Sequence, residues 1–395
     1  MNKKAFLALF LLSLVYGTAF AIGEVTPTPV PTLTPAPLLP SPTPELPSAT
    51  ATPMTATDFD EAAALDRAIA LVQSRQYEEA IALLSEIVSQ NPNNAEAYAF
   101  RALSYLQLRN YRSAIDDFTL AIALVPYSWE FYTFRGSAYL LQGENGEAKF
   151  DFDRAIDLNP RYDTAFSYRS TLYLNQNDRV NSDIDAAIAD GIGLYNRNNY
   201  ARAISRLTEA INANPADRRT LAYALYNRAL ATYIAGDKRT AITDYSLALE
   251  AYPDMHDSYL GRGIAYRETD QLEAAGRDFA RRIELLEQTT LTGTLTVGTP
   301  TDINMDYGVV ARYTFTGNAG DVLTFSARDA DGSGVDALIS LLAPDGRAIA
   351  GDDDFGGELD ALIEGFSLPA SGTYTLVVSH ANGGYTGLVR VLVNR

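Results

Sequence analysis

The stretch AEAYAFRALSYLQLRNYRSAIDDFTLAIALVP, residues 95–126, is followed almost at once by WEFYTFRGSAYLLQGENGEAKFDFDRAIDLNP, residues 129–160. Both segments have an aromatic residue, an arginine three positions later, a small residue beside it, and then tyrosine, alanine, phenylalanine, alanine and proline in matching places. Proline lacks an N–H and disfavours helix in the residue before it, so each segment predicts two helices and a stop. The proline recurs along the chain at Pro92, Pro126, Pro160, Pro215 and Pro253.

This pattern resembles the tetratricopeptide repeat, a pair of antiparallel helices that stacks on its neighbours. The resemblance implies an all-α solenoid over residues 58–288, which is long enough to stand alone. Six repeats begin near residues 61, 95, 129, 184, 222 and 256. A degenerate unit starts with a helix in 163–183, and its polar continuation NQNDRVNSDID predicts a kink or break. Small residues mark the close approach of paired helices: Ala68, Ala102, Gly136, Ala229 and Gly263 on first helices, and Ala80, Ala114, Ala148, Ala203, Ala241 and Ala275 on second helices.

Arginine recurs at one position of the first helix, and aspartate recurs on the second helix. The arginines could form a ladder for acidic ligands. The matching aspartates instead favour Arg–Asp pairs that join helices within or between repeats. The two series are Arg67, Arg101, Arg135, Arg169, Arg228 and Arg262, and Asp117, Asp151, Asp244 and Asp278.

The resemblance also implies that the first helices line a concave groove for extended or helical peptides. The groove positions are small, polar or aromatic and include no lysine, so the Lys/Asn clamp by which some relatives hold a C-terminal carboxylate is not expected. Residues 58–289 have 24 basic and 34 acidic side chains, which favours neutral or basic peptides. The residues expected to face the groove are Glu96, Ala99, Leu103, Glu130, Thr133, Ser137, Ser167, Thr171, Tyr226, Leu230 and Tyr233.

After Gln288 the sequence changes to short alternating segments separated by Gly-rich turns, which predicts an antiparallel β-sandwich over residues 290–395. The ordered segments YTF (313–315), AGD (319–321), PDG (344–346) and LPASGTY (368–374) resemble the bacterial pre-peptidase C-terminal domain. That resemblance implies a jelly-roll-like module of the kind found on secreted proteases and other exoproteins. No protease domain precedes it in this sequence.

Acidic residues of this second domain are candidate calcium ligands, because calcium binds carboxylate and carbonyl oxygens. A solvated acidic turn that keeps a secreted domain soluble is the alternative. The segment DADGSG (329–334) matches the first half of an EF-hand loop, but Ser340 stands where that loop requires glutamate, so an EF-hand is not expected. No other cofactor is predicted. The candidate calcium ligands are Asp336, Asp352, Asp353, Asp354 and Asp360.

The first 57 residues predict an extracytoplasmic location. Residues 1–21 have the features of a cleavable signal peptide: Lys3 and Lys4 precede an apolar run that ends in Ala-Phe-Ala. The run has 17 residues, at the lower limit for spanning a bilayer, so cleavage is favoured over anchoring and no stable membrane insertion is expected afterwards. Residues 22–57 form a Pro/Thr-rich linker with ten of the chain's 18 prolines.

Composition argues against nucleic-acid binding and catalysis. The formal net charge is −18, and nucleic-acid binding depends largely on basic charge. The chain has no cysteine and only two histidines, His256 and His380, and it lacks a GxSxG nucleophile motif. We therefore expect a secreted, non-catalytic adaptor that binds an extracellular or envelope protein, with the sandwich attaching it to surface or matrix or aiding secretion. The alternative is an accessory protein whose sandwich recognises a fibrous protein or polysaccharide.

Overall fold

The computed structural model describes residues 60–305, 308–353, 360–380 and 387–395. The predicted signal peptide and linker lie outside these residues. In the described part of the chain, thirteen helices precede nine strands, so the predicted all-α solenoid followed by an all-β domain is confirmed. None of the helices in this part is both long enough and apolar enough to cross a membrane.

The chain divides into two compact units, Met1–Leu158 and Asn159–Arg395. The division therefore falls inside the helical array. The secondary structure changes from helix to strand near residue 289, where we predict the domain boundary, but this point lies within the second unit.

The first unit contains three helix pairs, and its local sequence explains where they begin and end. Asn94 and Ser128 cap helices by accepting hydrogen bonds from backbone N–H groups three residues later. Ala80, Ala114 and Ala148 are fully buried, as the repeat predicts. The helices are α1 (Glu61–Gln73), α2 (Tyr77–Gln90), α3 (Ala95–Gln107), α4 (Tyr111–Leu124), α5 (Trp129–Gln142) and α6 (Asn145–Leu158).

The second unit continues the helical array with seven helices among its described residues. Two of its second helices again end just before a proline, α9 three residues before Pro215 and α11 two residues before Pro253. The helices are α7 (Asp163–Asn175), α8 (Arg179–Asn196), α9 (Tyr200–Asn212), α10 (Arg218–Ile234), α11 (Lys238–Ala251), α12 (His256–Arg267) and α13 (Leu272–Leu286).

Helix α8 explains the irregular spacing of the array. Its N-terminal half pairs with α7 through Asp185, which forms an ion pair with Arg169. Its C-terminal half packs on α9, where Gly191 lies against Leu207. One 18-residue helix thus belongs to two successive repeats. The predicted kink or break does not occur, because a turn around Asn177 and a continuous helix occupy the polar segment.

The all-β domain is a sandwich of a five-stranded and a four-stranded sheet, with strand orders β1-β3-β8-β5-β6 and β2-β9-β4-β7. Strands β2 to β9 have the strand order of a jelly roll, as predicted, and every connection among them except the β5–β6 turn crosses from one sheet to the other. The strands are β1 (Thr289–Thr294), β2 (Thr301–Met305), β3 (Val309–Gly317), β4 (Val322–Asp329), β5 (Ala337–Leu342), β6 (Ala348–Asp352), β7 (Ala361–Ser367), β8 (Gly372–His380) and β9 (Gly387–Asn394).

One pairing of the sandwich departs from the antiparallel expectation. Strand β1 runs parallel to β3, with Leu291 beside Ala311, because β2 between them in the chain belongs to the other sheet. The remaining pairs are antiparallel. Alternate residues of both sheets, such as Phe315, Phe325 and Tyr374, fill the core between them.

The outer face of the five-stranded sheet is covered by α13, the last helix of the array. Ala275, Phe279 and Ile283 of this helix form one apolar cluster with sheet residues that include Leu338 and Val377. Such a cluster removes apolar surface from water on both elements, which stabilises their contact. The last repeat and the sandwich are therefore parts of one packed structure.

Two glycines allow α13 to approach the sheet. A Cβ atom on Gly276 would lie 2.9 Å from the backbone of Ala350, and a Cβ atom on Gly351 would lie 2.5 Å from the Phe279 ring. The Ser340 hydroxyl, on the neighbouring strand, donates to the Gly276 carbonyl at 3.3 Å. Glycine is required at these two positions because the helix and the sheet come too close for a side chain to fit between them.

We predict that Gly276→Ala lowers the stability of the chain by about 1–3 kcal/mol, because the new methyl group is forced against backbone. Gly146→Ala is the matched control: it makes the same change in helix α6, where no atom lies within 4 Å of the added Cβ. The control should be neutral or slightly stabilising, since alanine favours helix over glycine. Thermal melting of both variants tests this, and equal midpoints would contradict it.

Candidate binding surfaces

The arginine of the first helix forms a bidentate ion pair with an aspartate 16 residues later on the second helix. Arg101 donates from Nε and Nη2 to the two carboxylate oxygens of Asp117, both at 2.7 Å. Arg135 binds Asp151 in the same way at 2.9 and 2.8 Å. The geometry recurs in Arg169–Asp185, Arg228–Asp244 and Arg262–Asp278.

Four of the five arginines also reach the preceding second helix, whereas Arg169 donates to the Thr220 hydroxyl of α10 at 3.2 Å. Nη1 of Arg101 donates to the Ser85 hydroxyl at 3.1 Å, and Nη1 of Arg135 donates to the Thr119 hydroxyl at 3.2 Å. The Ser85 hydroxyl in turn donates to the Ile81 carbonyl at 2.7 Å. Each guanidinium therefore connects three helices, and the prediction that the Arg–Asp pairs join helices within or between repeats is confirmed.

Burial keeps these pairs away from ligands. The Asp151 side chain is 1% exposed and the Arg135 side chain 14% exposed. Hydrogen bonding to Asp117 raises the pKa of the Arg101 guanidinium, and burial raises the pKa of the Asp117 carboxyl although the guanidinium opposes that shift. A carboxyl whose pKa is raised by folding adds stability only at low pH and loses that contribution as pH rises. The pairs therefore hold the helices in register more than they stabilise them at neutral pH.

Two positions depart from the predicted series. Arg67 has Leu83 sixteen residues later and is exposed. Asp185, which the predicted series omits, is the buried partner of Arg169. The 16-residue spacing shared by the other pairs was the signal that could have identified Asp185 from the sequence.

In the first unit the predicted groove residues lie on α3 and α5. Glu96 and Glu130 occupy the same position of consecutive repeats and are partly exposed. The Thr133 and Ser137 hydroxyls donate to carbonyls of their own helix at 2.8 and 2.7 Å. That this set contacts a peptide stays a prediction. Because the other members on α3 and α5 are buried, Glu96 and Glu130 are the ones that a peptide would reach. The buried members are Ala99, Leu103, Thr133 and Ser137.

In the second unit the predicted groove residues lie on α7 and α10. Tyr226 is buried, and burial raises the pKa of its hydroxyl. Ser167 is exposed, and Thr171, Leu230 and Tyr233 are partly exposed. These four retain surface that a peptide could contact, and their role stays a prediction.

The candidate calcium ligands differ in how far they are buried, and one of the five lies outside the described residues. Asp354 lies outside the described residues, Asp336, Asp352 and Asp353 are buried, and Asp360 is partly exposed. Among the residues that the structure describes, no three histidine, aspartate or glutamate side chains converge on a possible metal position. Calcium binding by this set stays a prediction.

Two of these aspartates have other partners. The Asp352 carboxylate forms an ion pair with Arg267 of α12 and accepts the Leu362 N–H at 2.6 Å. Asp360 lies 3.7 Å from Nε of Arg328. Asp352 therefore ties the last repeat to the sandwich, a role that its position in a run of three aspartates did not indicate.

The segment that resembles half of an EF-hand loop uses its carboxylates internally. Asp329 accepts hydrogen bonds from the N–H groups of Asp331, Gly332 and Gly334 at 2.7 to 3.2 Å. Asp331 accepts the N–H of Leu388 at 3.1 Å and so ties this loop to β9. Carboxylates that cap backbone N–H groups in this way stabilise a turn.

Neither histidine lies in a recognisable catalytic arrangement. His380 is 3% exposed, and its carbonyl oxygen accepts a hydrogen bond from Nη1 of the buried Arg282 at 2.6 Å. Nδ1 of His256 lies 3.3 Å from the carboxylate of Asp257, the next residue of α12. His380 thus takes part in a polar contact between α13 and the sandwich, and His256 pairs with its neighbour on α12.

Comparison with known proteins identifies the repeats. Residues 65–128, 101–163 and 226–288 match the family model of the tetratricopeptide repeat. These segments are tetratricopeptide repeats, and their predicted identity is confirmed. Arrays of this class are typically non-catalytic scaffolds that bind proteins or peptides.

The individual relatives match only parts of the chain. Peptidyl-prolyl cis-trans isomerase D of Kluyveromyces lactis is 42% identical over 66 residues, which span 17% of this chain and 17% of that protein. The first repeat domain of Spaghetti (RPAP3), solved with the HSP90 peptide SRMEEVD, is 24% identical and covers 30% of this chain and 93% of its own, with a TM-score of 0.29. MamA is 21% identical and covers 47% of this chain and 93% of its own, with a TM-score of 0.28.

We predict that Arg135→Ala destabilises the chain by about 3–5 kcal/mol, because it leaves the Asp151 carboxylate buried without its cation. Arg135→Lys keeps the charge but not the planar fork, so its loss should be intermediate. Arg67→Ala is the matched control, since it removes the exposed arginine at the same repeat position, and it should change stability by no more than about 0.5 kcal/mol. Thermal melting ranks the three, and equal effects of Arg135→Ala and Arg67→Ala would refute the structural role.

Proposed function

We propose that this protein is a non-catalytic scaffold that binds a protein segment along the first-helix face of its tetratricopeptide repeats. The observation that carries the proposal is the pair Glu96 and Glu130, which place partly exposed carboxylates at one position of consecutive repeats. The other predicted groove positions of these helices are buried, so the two carboxylates are the groups of this set that a partner would contact. The proposal assigns no reaction to the chain.

The charge of this face indicates the chemistry of the partner. The array is acidic, and the arginines of the five Arg–Asp pairs are already bound by their aspartates. A segment with lysine or arginine side chains one repeat apart would complement Glu96 and Glu130. Complementary charges at such a partly exposed face favour association rate and specificity.

The proposal includes a location and a role for the sandwich. The signal-peptide-like start and the Pro/Thr-rich linker support a secreted or cell-surface protein. The resemblance to the pre-peptidase C-terminal domain supports a module that attaches to surface or matrix or aids secretion. Because α13 packs on this module, we propose that the last repeat and the sandwich act as one body on whatever the module contacts.

The test selects peptides from a random library on the chain from Ile22 to Arg395. We predict that selected peptides are enriched in lysine and arginine, and that Glu96→Lys with Glu130→Lys weakens their binding at least about fivefold, since two attractions become repulsions. Asp116→Lys is the matched control, because it reverses an exposed carboxylate on the second helix α4. Peptides equally sensitive to all three changes would show only a general charge effect and contradict the proposal.

The accessory-protein alternative predicts a different result. The same chain would then bind insoluble collagen or cellulose with an affinity unaffected by Glu96→Lys and Glu130→Lys, and peptide selection would yield no consensus. Fluorescence anisotropy of labelled peptides and pull-down on the two polymers distinguish the readings in one series.

The possible calcium site is tested on the full chain by thermal melting. If the predicted aspartates bind calcium, the melting midpoint rises with calcium over that with chelator, because a ligand that binds only the folded state stabilises it. Asp360→Asn should then remove the difference, and Asp345→Asn, in the β5–β6 turn, should not. Identical midpoints with calcium and with chelator would exclude the site.

A further inference from the structure

A cleft of about 370 Å³ lies between α13 and the five-stranded sheet. Its volume is within the range of small-molecule sites, about 300–1,000 Å³. Four arginines line it: Arg277 and Arg281 on α13, Arg312 on β3, and Arg347 after the β5–β6 turn. Glu284 is the single acidic residue among those that line this cleft.

This concentration of arginine is unusual for the chain. The protein has a formal charge of −18, and residues 290–395 contain five arginines and no lysine. Two of those five, Arg312 and Arg347, line the cleft. Segments 35 residues apart in the β-domain thus bring their cations to the same helix, where Arg277 and Arg281 meet them.

Each arginine of the cleft is paired with a carboxylate, and Glu284 is the one of these acids that itself lines the cleft. Arg277 and Arg347 share one oxygen, Oε1 of Glu273, at 3.0 and 2.8 Å. Arg281 donates to Glu284 at 3.1 Å. Arg312 donates to Glu287 at 2.7 Å and lowers the pKa of that carboxyl. With Asp254 and Asp345, at 3.7 and 3.9 Å from Arg281 and Arg347, five carboxylates lie within 4.0 Å of the four guanidinium groups, and four of the five stand outside the residues that line the cleft.

These ion pairs can exchange partners at little cost. The side chains of Arg277, Arg281 and Arg347 are 57%, 43% and 54% exposed, and exposed pairs contribute little to stability. Their carboxylates nevertheless hold the guanidinium groups at the rim. An incoming anion would find planar forks whose geometry matches a carboxylate or phosphate.

The floor of the cleft is apolar. Ile283, Ala348 and Val377 are buried beneath it, while Ala280 and Leu342 are partly exposed. A fully ionic ligand would leave this surface in water, whereas a short apolar group would cover it. The arginines of the rim and the apolar floor together fit a ligand that has both an anionic group and an apolar group.

We infer that this cleft binds a small organic anion, in which a carboxylate or phosphate is held by the arginines of the rim and a short aryl or alkyl group contacts the floor. The site is independent of the peptide-binding face on α3 and α5. It lies where the last repeat meets the sandwich, so occupation would add contacts between α13 and the sheet.

Isothermal titration calorimetry on the full chain tests the inference with phenyl phosphate and 3-phenylpropionate as probes. Both should bind, and inorganic phosphate and phenol, which each carry half of the chemistry, should bind at least tenfold more weakly. Arg277→Gln with Arg347→Gln should lower the affinity for phenyl phosphate at least tenfold. Arg202→Gln, an exposed arginine of α9 outside the cleft, is the control and should leave the affinity unchanged.

A second variant guards against loss of fold in the arginine double variant. Ala280→Glu keeps every arginine and places a carboxylate inside the cleft, where it should compete with the ligand and abolish binding while the melting midpoint is maintained. The inference is wrong if neither probe binds, if phosphate or phenol alone binds as tightly as the probes, or if Arg202→Gln reduces binding as much as the cleft variants do.

Discussion

The register of five helix pairs in the array depends on one interaction, the guanidinium fork that joins the two helices of a repeat and, in four of the five, the helix before them. The fork requires an arginine and an aspartate 16 residues apart, so it fixes which turns of the paired helices face each other. Asp151 is nearly inaccessible to water, and a misregistered pairing would leave that charge buried without a cation. Close packing of alanines and aromatics supports the same pairing, and the bidentate ion pair adds a directional requirement that apolar contacts lack.

A stacked array also needs an end that does not expose its core. Here the end is provided by the sandwich, whose outer sheet face covers α13 with Leu338 and Val377. Arg267–Asp352 and the contact of Arg282 with the His380 carbonyl add polar links at the same junction. The β-domain is thus a structural cap for the last repeat, and a role in attachment would be transmitted to the array through a packed contact. The arginine-lined cleft belongs to the same connection, because both α13 and the five-stranded sheet contribute residues to its lining.

The repeated features of the fold could be predicted from the sequence, and the singular ones could not. Proline spacing and phased alanines located the helix pairs, since every repeat supplied an independent instance of the pattern. Alternation and turn residues likewise indicated the sandwich. The sharing of α8 by two repeats, the parallel β1, and the packing of α13 on the sheet each occur once. Arg281 and Arg347 come together only through that packing, so no local pattern indicated the cleft. Conversely, Asp352 and Asp353 are adjacent in the sequence, which suggested a shared role as calcium ligands. In the structure Asp352 is paired with Arg267 of α12.

The most direct test of the fork is a double-mutant cycle on Arg135 and Asp151, with the free energy of unfolding measured for the parent, both single alanine variants and the double variant. If the pair fixes the helices in register through a buried bidentate contact, each single variant leaves the other side chain buried without its partner and lowers the free energy of unfolding. The double variant then recovers much of that loss. We predict a coupling energy of at least about 1.5 kcal/mol. A coupling energy near zero, with the effects of the two single variants simply adding, would contradict the account.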